Sequence, residues 1–214
     1  MTEPIWTVVV PVKRLDAAKT RLRGAVDGVP HEQLALALAQ DTVAAAVACP
    51  EVAAVLVVAD ASMTAAFEPL RARVVPEAGE RGLNAAVTQG AELIRDCPVA
   101  ALPADLPALR PLELAAALRA AAAEPSGRRF VADTPGTGTV LLTTPAGVAL
   151  DPRFGAGSAT AHEESGAEPL RGTWPTLRRD VDTPADLAAA AVLGLGRHTN
   201  ALVRRVFAAT AAHR

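Results

Sequence analysis

Pro98-Val99-Ala100-Ala101-Leu102-Pro103-Ala104-Asp105-Leu106-Pro107-Ala108-Leu109 is the stretch whose reading decides the fold class. An apolar run ends on one carboxylate, and prolines forbid a helix through it. A buried strand of an α/β sheet reads this way, apolar on both faces and followed by a turn at its carboxyl end. Ligands of open α/β sheets lie in the crevice outside those ends, so Asp105 is expected where chemistry is done. It has no basic neighbour within several residues in sequence, which leaves it free for a cation. The competing role is a turn or cap aspartate before the helix that begins at Pro111.

Working outward, strands and helices alternate. Ile5–Val12 is a β-branched first strand, and His31 to about Ala48 is a helix with Pro30 at its first turn. Val52–Asp60 is a second strand, a short helix runs to about Leu70, and Arg73–Val75 is a third strand. Gly82 opens a helix expected to reach Arg95, and Pro111 to about Ala123 is another. This is βαβ spacing, the pattern of a mostly parallel sheet with helices on both faces. The rhythm then changes. Arg129–Asp133 and Thr139–Leu142 are joined by a linker too short for a crossover helix, so this pair is expected to be antiparallel. A short helix containing His162 follows the glycine-rich Phe154–Ser158. A strand around Thr176–Arg178 is expected to end at Asp180-Val181-Asp182-Thr183-Pro184, which opens a further helix. The organisation is one domain over 1–193 and an Ala-rich basic helical tail over 194–214.

Composition excludes several classes. The 214 residues include 21 basic and 23 acidic side chains, so there is no global basic footprint for nucleic acid. Aromatics are 3%, without tyrosine, which argues against a surface that stacks bases. No apolar run is long enough for a membrane span, and Met1-Thr2-Glu3-Pro4 lacks a signal-peptide pattern, so a cytoplasmic protein is expected. Cys49 and Cys97 have no metal-ligand spacing and read as small buried hydrophobes.

The chemistry-bearing residues fall at strand ends. Lys13, Lys19 and Arg21 leave the first strand, where cations and backbone amides can converge on phosphates. No GxxxxGK[ST] loop is present, and the alternative is a solvated basic loop. In Gly82-Leu83-Asn84, an Asn in the first helical turn could hydrogen-bond a sugar or base edge. Asp182 and Thr183 are also good cap residues before Pro184. Two strand-end carboxylates, Asp105 and Asp182, together with a basic loop suit Mg²⁺, which takes one or two carboxylates and fills its shell with water and phosphate oxygens. Ser158 and His162 form no recognisable nucleophilic set. Positioning and electrostatics therefore suit the chain better than covalent catalysis.

Pro11-Val12-Lys13 with Ala18-Lys19-Thr20-Arg21-Leu22, Gly82-Leu83-Asn84-Ala85-Ala86, Asp105-Leu106-Pro107, Gly136-Thr137-Gly138-Thr139, Phe154-Gly155-Ala156-Gly157-Ser158 with His162, and Asp180-Val181-Asp182-Thr183-Pro184 occur in this order. As an ordered set over roughly 5–190 they resemble the guanylyltransferases of coenzyme F(420) biosynthesis, which join GTP to phosphoenolpyruvate or 2-phospho-L-lactate. The resemblance implies a glycosyltransferase-A-like, Rossmann-like nucleotidyltransferase fold. It implies Mg²⁺ on Asp105 and Asp182, GTP phosphates on Lys13, Lys19 and Arg21, nucleotide contacts at Gly82 and Asn84, and the phospho-acid at Thr139, Gly155 and Ser158. A homodimer is allowed, and no nucleic acid or membrane partner is implied. Guanine is inferred from the resemblance alone. Phosphoenolpyruvate is favoured because the Ala-rich composition is similar to the actinobacterial branch. 2-Phospho-L-lactate, or a pterin or sugar phosphate, is the alternative acceptor. Lys13-Arg14-Leu15-Asp16 stands where sugar nucleotidyltransferases carry a glycine-rich loop.

Overall fold

The β-branched run Trp6–Pro11 forms β1 at the centre of a seven-stranded sheet, flanked in parallel by β2 (Val52–Ala59) and β4 (Val99–Ala101). The structure is a computed structural model and describes residues 6–13, 19–79, 82–123 and 126–212, with side chains as far as Arg204. Ile5, Arg14–Ala18, the opening Met1–Pro4 and the side chain of Arg205 therefore lie outside the described residues.

β1 has no polar face because both of its faces are covered. Val8 and Val10 pack with Val55, Val57 and Ala100 against α1 (His31–Val47) and α4 (Pro111–Ala123), where Val43, Leu114 and Leu118 meet them. Val9 points the other way with Leu56, Val58 and Ala101, against Ala86 and Val87 of α3 (Leu83–Glu92). Gly90 allows this close approach. A Cβ there would stand 2.5 Å from Val9 Cγ1 and 3.0 Å from Val58 Cγ2.

β3 (Arg73–Pro76) lies outside β2, and α2 (Thr64–Phe67) precedes it. On the other side of β4 come β6 (Thr139–Thr144), antiparallel to β4, and then β5 (Arg129–Ala132), antiparallel to β6. The short linker read from the sequence thus joins an antiparallel pair. With β7 (Glu168–Pro169) at the far edge, the full order is β3-β2-β1-β4-β6-β5-β7. The chain leaves β1 toward β2 and β3 and returns to the opposite side at β4. Loops after β1 and β4 therefore diverge around a crevice, the place a ligand occupies in such sheets. β6 runs antiparallel to β4, which puts its first residue, Thr139, at that same edge.

Three local expectations are corrected. The strand expected around Thr176–Arg178 is a turn over 175–178, and the seventh strand is β7 (Glu168–Pro169), paired with β5. The Thr176 and Leu177 N–H groups donate to the Glu113 carboxylate at 2.8 and 3.3 Å, so this backbone is satisfied without a ladder. The Asp105 strand ends early, at Ala101. Leu102 N–H gives a last bond to Val9 O, and Pro103 has no N–H to continue. α3 stops at Glu92 rather than Arg95, with Leu93 and Ile94 bonding back three residues.

After α5 (Ser158–Glu164) come α6 (Pro184–Leu193) and α7 (Arg197–Ala212). The start of α7 is held against α1. Asp41, 5% exposed, accepts the N–H groups of His198 and Thr199 at 2.8 Å each, so a carboxylate from another helix caps this terminus. Cys49 is buried at the end of α1, and Cys97 is half-buried in the bend before β4. No helix of the described residues is long and apolar enough to cross a membrane.

Candidate active site

Loops from the carboxyl edge of the sheet enclose a cavity of about 580 Å³. The basic segment reaches it through the Thr20–Leu22 turn. Leu22, 1% exposed, is sunk among Leu34, Leu38, Ala108 and Val181, an apolar cluster that also anchors the Asp182 turn and the loop after Asp105. With Leu22 inward, Lys19 and Arg21 face the cavity, joined by Lys13 at the end of β1. Lys19 adopts the left-handed conformation at φ 52°, a costly one for a residue with a side chain. Ala35, Leu38 and Ala39 of α1 give the cavity an apolar wall.

Asp105 and Asp182 meet because Val181 N–H donates to Asp105 O at 3.0 Å. Both carboxylates accept a hydrogen bond from the Lys19 ammonium. The expectation that Asp105 lacks a basic partner is therefore overturned: its partner lies 86 positions away. Burial alone would lower the Lys19 pKa, but the two carboxylates outweigh it and raise it above the ordinary lysine range. The capping roles also resolve. Thr183 caps α6 in a reciprocal box with Asp186, so the Asp182 carboxylate is not used as a cap. Asp105 lies six residues before α4 and is too far from it to cap.

Asp133 and Asp180, which are not among the site residues expected from the sequence, line the same cavity. Burial, then repulsion from Asp105, Asp182 and Asp133, pushes Asp180 up to about 7 against the pull of Lys19. Asp133 shapes the turn into β6. Its carboxylate accepts Thr137 N–H at 2.9 Å, and a Cβ on Gly138 would overlap Asp133 Oδ2.

A divalent cation fits the pair Asp105 and Asp182. Asp105 Oδ1 is buried with no hydrogen-bond partner, and Asp182 remains half-exposed at 55%. Among the described residues no three His, Cys, Asp or Glu side chains are grouped to hold a metal on their own. Such a donor set suits Mg²⁺ completed by water and phosphate oxygens rather than a closed protein cage.

Thr139, Gly155 and Ser158 line the same cavity, with Val140 and Phe154. Gly155 sits at φ +137°, a conformation that only glycine adopts freely, and nothing lies within 4 Å of where its Cβ would be. Asn84 has a different task from the sugar or base contact expected of it. Its amide donates to Phe154 O at 3.1 Å and accepts Phe154 N–H at 2.8 Å, fastening α3 to the glycine-rich loop. Gly82 and Asn84 lie outside the cavity wall, and Leu83 between them lines it. His162, fully buried, bonds Thr139 Oγ1 through Nδ1 at 2.9 Å and accepts Arg153 N–H on Nε2 at 2.9 Å. Its position in the sequence gave no sign of either partner.

Comparison with known proteins follows the same outline. A family model described as guanylyl transferase, CofC like, matches residues 6–212, and so includes the helix that the sequence reading set apart as a tail. A phosphoenolpyruvate guanylyltransferase of Salinispora arenicola is 61% identical over 196 residues, covering 91% of this chain and 92% of that protein. One from Geodermatophilus obscurus is 55% identical over 204 residues, covering 92% and 94%. Among solved structures, a nucleotidyl transferase from Methanothermobacter superposes with a TM-score of 0.57 at 17% identity, covering 88% of this chain and 97% of that one. That likeness concerns the fold alone.

Proposed function

The chain belongs to the CofC-like guanylyl transferase family, and from that premise we propose that it transfers the guanylyl group of GTP to phosphoenolpyruvate, releasing diphosphate. It is a nucleotidyltransferase. One observation carries the reading of the site: a single cavity is lined by Lys13, Lys19 and Arg21, by Asp105 and Asp182, and by Thr139, Gly155 and Ser158. The name shared by relatives matching over nine-tenths of the chain supports phosphoenolpyruvate as the acceptor.

The acceptor needs no activation by a base. A phosphate monoester has its second pKa near ~6 and is a dianion at neutral pH. One of its oxygens bonds to the α-phosphorus of GTP, and the bond from that phosphorus to the bridging oxygen of the β-phosphate breaks in line. The products are a diphosphate-linked enolpyruvyl guanosine and diphosphate. The difficulty is to hold two polyanions in contact, and the residues are suited to that task. Thr139, Ser158 and the open backbone at Gly155 hold the acid. Lys13, Lys19 and Arg21 face the phosphates of GTP, with Lys19 exchanging its carboxylate partners for phosphate oxygens. The apolar wall of Ala35, Leu38 and Ala39 suits the nucleoside. Asp105 and Asp182 would hold Mg²⁺, which supplies neutralisation of the nucleotide phosphates when bound.

The test is incubation of the chain with Mg²⁺, each of four nucleoside triphosphates, and phosphoenolpyruvate or 2-phospho-L-lactate in competition, with adducts identified by mass. The guanosine adduct of phosphoenolpyruvate is expected to dominate, and Asp105→Asn to lower its formation about a hundredfold. A predominant phospholactyl product would overturn the choice of acid, and no adduct from either would overturn the reaction.

A further inference from the structure

The hydrogen bonds of His162 fix its tautomer. Arg153 N–H can only donate, so Nε2 of the ring is an acceptor. A neutral imidazole then carries its hydrogen on Nδ1, and Nδ1–H donates to Thr139 Oγ1. With that lone pair taken, the hydroxyl hydrogen of Thr139 must point elsewhere, and Thr139 lines the cavity. The ring is kept neutral by its surroundings. Burial, then the charge of Arg128, lowers His162 to about 4, with Arg153 adding to this, while a hydrogen bond to the Ser158 backbone and the charge of Asp151 oppose it. Phe154 meets the ring edge-on at 5.2 Å and Phe130 lies at 6.0 Å, which holds its plane.

We propose that His162 is a positioning residue for the acid substrate: it sets Thr139 as a hydrogen-bond donor into the cavity and pins the glycine-rich loop at Arg153, so that hydroxyl and loop face the same anionic oxygens. The inference rests on the reading of Thr139, Gly155 and Ser158 as the acid-binding wall. An ordinary core histidine would need only that its two nitrogens be satisfied. Here one nitrogen is committed to a side chain of the cavity wall, and the other to the backbone residue next to Phe154, which Asn84 fastens from the opposite side. Phosphate and carboxylate offer only acceptors at neutral pH, so a hydroxyl whose hydrogen is not spent on the ring is matched to them.

Two conservative variants separate the two bonds. In His162→Asn the amide nitrogen replaces Nδ1 and can still donate to Thr139, while the Arg153 bond is lost. In His162→Gln the amide oxygen replaces Nε2 and can still accept from Arg153, while the donor to Thr139 is lost. With the full chain, Mg²⁺ and saturating GTP, His162→Gln is expected to raise KM for phosphoenolpyruvate about tenfold. Its kcat and its KM for GTP should stay within about threefold. His162→Asn should recover most of that loss, and Thr139→Val combined with His162→Gln should be no worse than Thr139→Val alone. Equal effects of Asn and Gln, or a parallel fall in kcat with KM unmoved, would overturn the positioning role while leaving the acid wall standing. An unchanged KM in Thr139→Val would overturn the acid wall, and the inference with it.

Discussion

Replacing Lys19 with methionine should move metal affinity and turnover in opposite directions. The Lys19 ammonium bridges Asp105 and Asp182, whose side chains are 17% and 55% exposed, while Lys19 itself is 18% exposed. The Asp182 contact, open to water, is worth at most about 1 kcal/mol. The Asp105 contact is a charge-assisted bond between two largely buried groups, worth about 2–3 kcal/mol. A cation entering between the carboxylates must therefore displace about 3 kcal/mol of interaction, close to a hundredfold in affinity. Part of this returns when the freed ammonium is rehydrated. Lys19→Met, similar in length and without charge, should bind Mn²⁺ at least about tenfold more tightly than the parent protein in the absence of nucleotide. Turnover should fall by about a hundredfold, because the phosphates lose a cation. Calorimetric titration of Mn²⁺ into nucleotide-free protein, with Mn²⁺ standing in for Mg²⁺, measures the first effect, and diphosphate release measures the second. Unchanged Mn²⁺ affinity would show that metal and lysine do not share these carboxylates, and normal turnover would remove Lys19 from the reaction.

His162 is expected to contribute to acid lability. Its folded pKa of about 4 lies below an unfolded value near 6.5, so the unfolded chain binds the extra proton and stability is lost as pH falls through that window. The loss is at most about 3 kcal/mol, and urea unfolding of His162→Asn at pH 7 and pH 4.5 should show a smaller difference than the parent chain does. Gly90→Ala drives a methyl group to 2.5 Å from Val9 Cγ1. It should cost about 1–3 kcal/mol despite the better helix propensity of alanine, read as a fall in thermal midpoint. Asp41→Asn leaves one of the His198 and Thr199 N–H groups facing an amide NH₂ instead of an oxygen. It should destabilise the protein by about 1–2 kcal/mol with KM for both substrates unchanged.

The sequence by itself determined the layers and the crevice. Hydrophobic period and proline position are local properties, and they were enough to read the stretch before Asp105 as a strand buried on both faces, Ile5–Val12 as a first strand, the βαβ alternation, and the antiparallel pairing of Arg129–Asp133 with Thr139–Leu142. The same local logic placed Asp105 and the basic loop beyond strand ends, because turns must follow strands, whereas the strand expected before Asp182 is absent. It failed where a distant group satisfied the backbone: Glu113 accepts the N–H groups of Thr176 and Leu177, and the expected strand is a turn. It also could not say which charges meet. Lys19 finds Asp105 and Asp182 across 86 and 163 positions, because Leu22 and Val181 are buried in one apolar cluster. Asn84 looked free to hold a ligand until tertiary packing laid the Phe154 backbone across it. Thr139 and His162 had no periodic relation, and the sense of their hydrogen bond depends on a third residue, Arg153. Local chemistry fixes which residues can face a crevice; only the packing of the chain on itself decides which of them are left unpaired there and in which direction their hydrogens point.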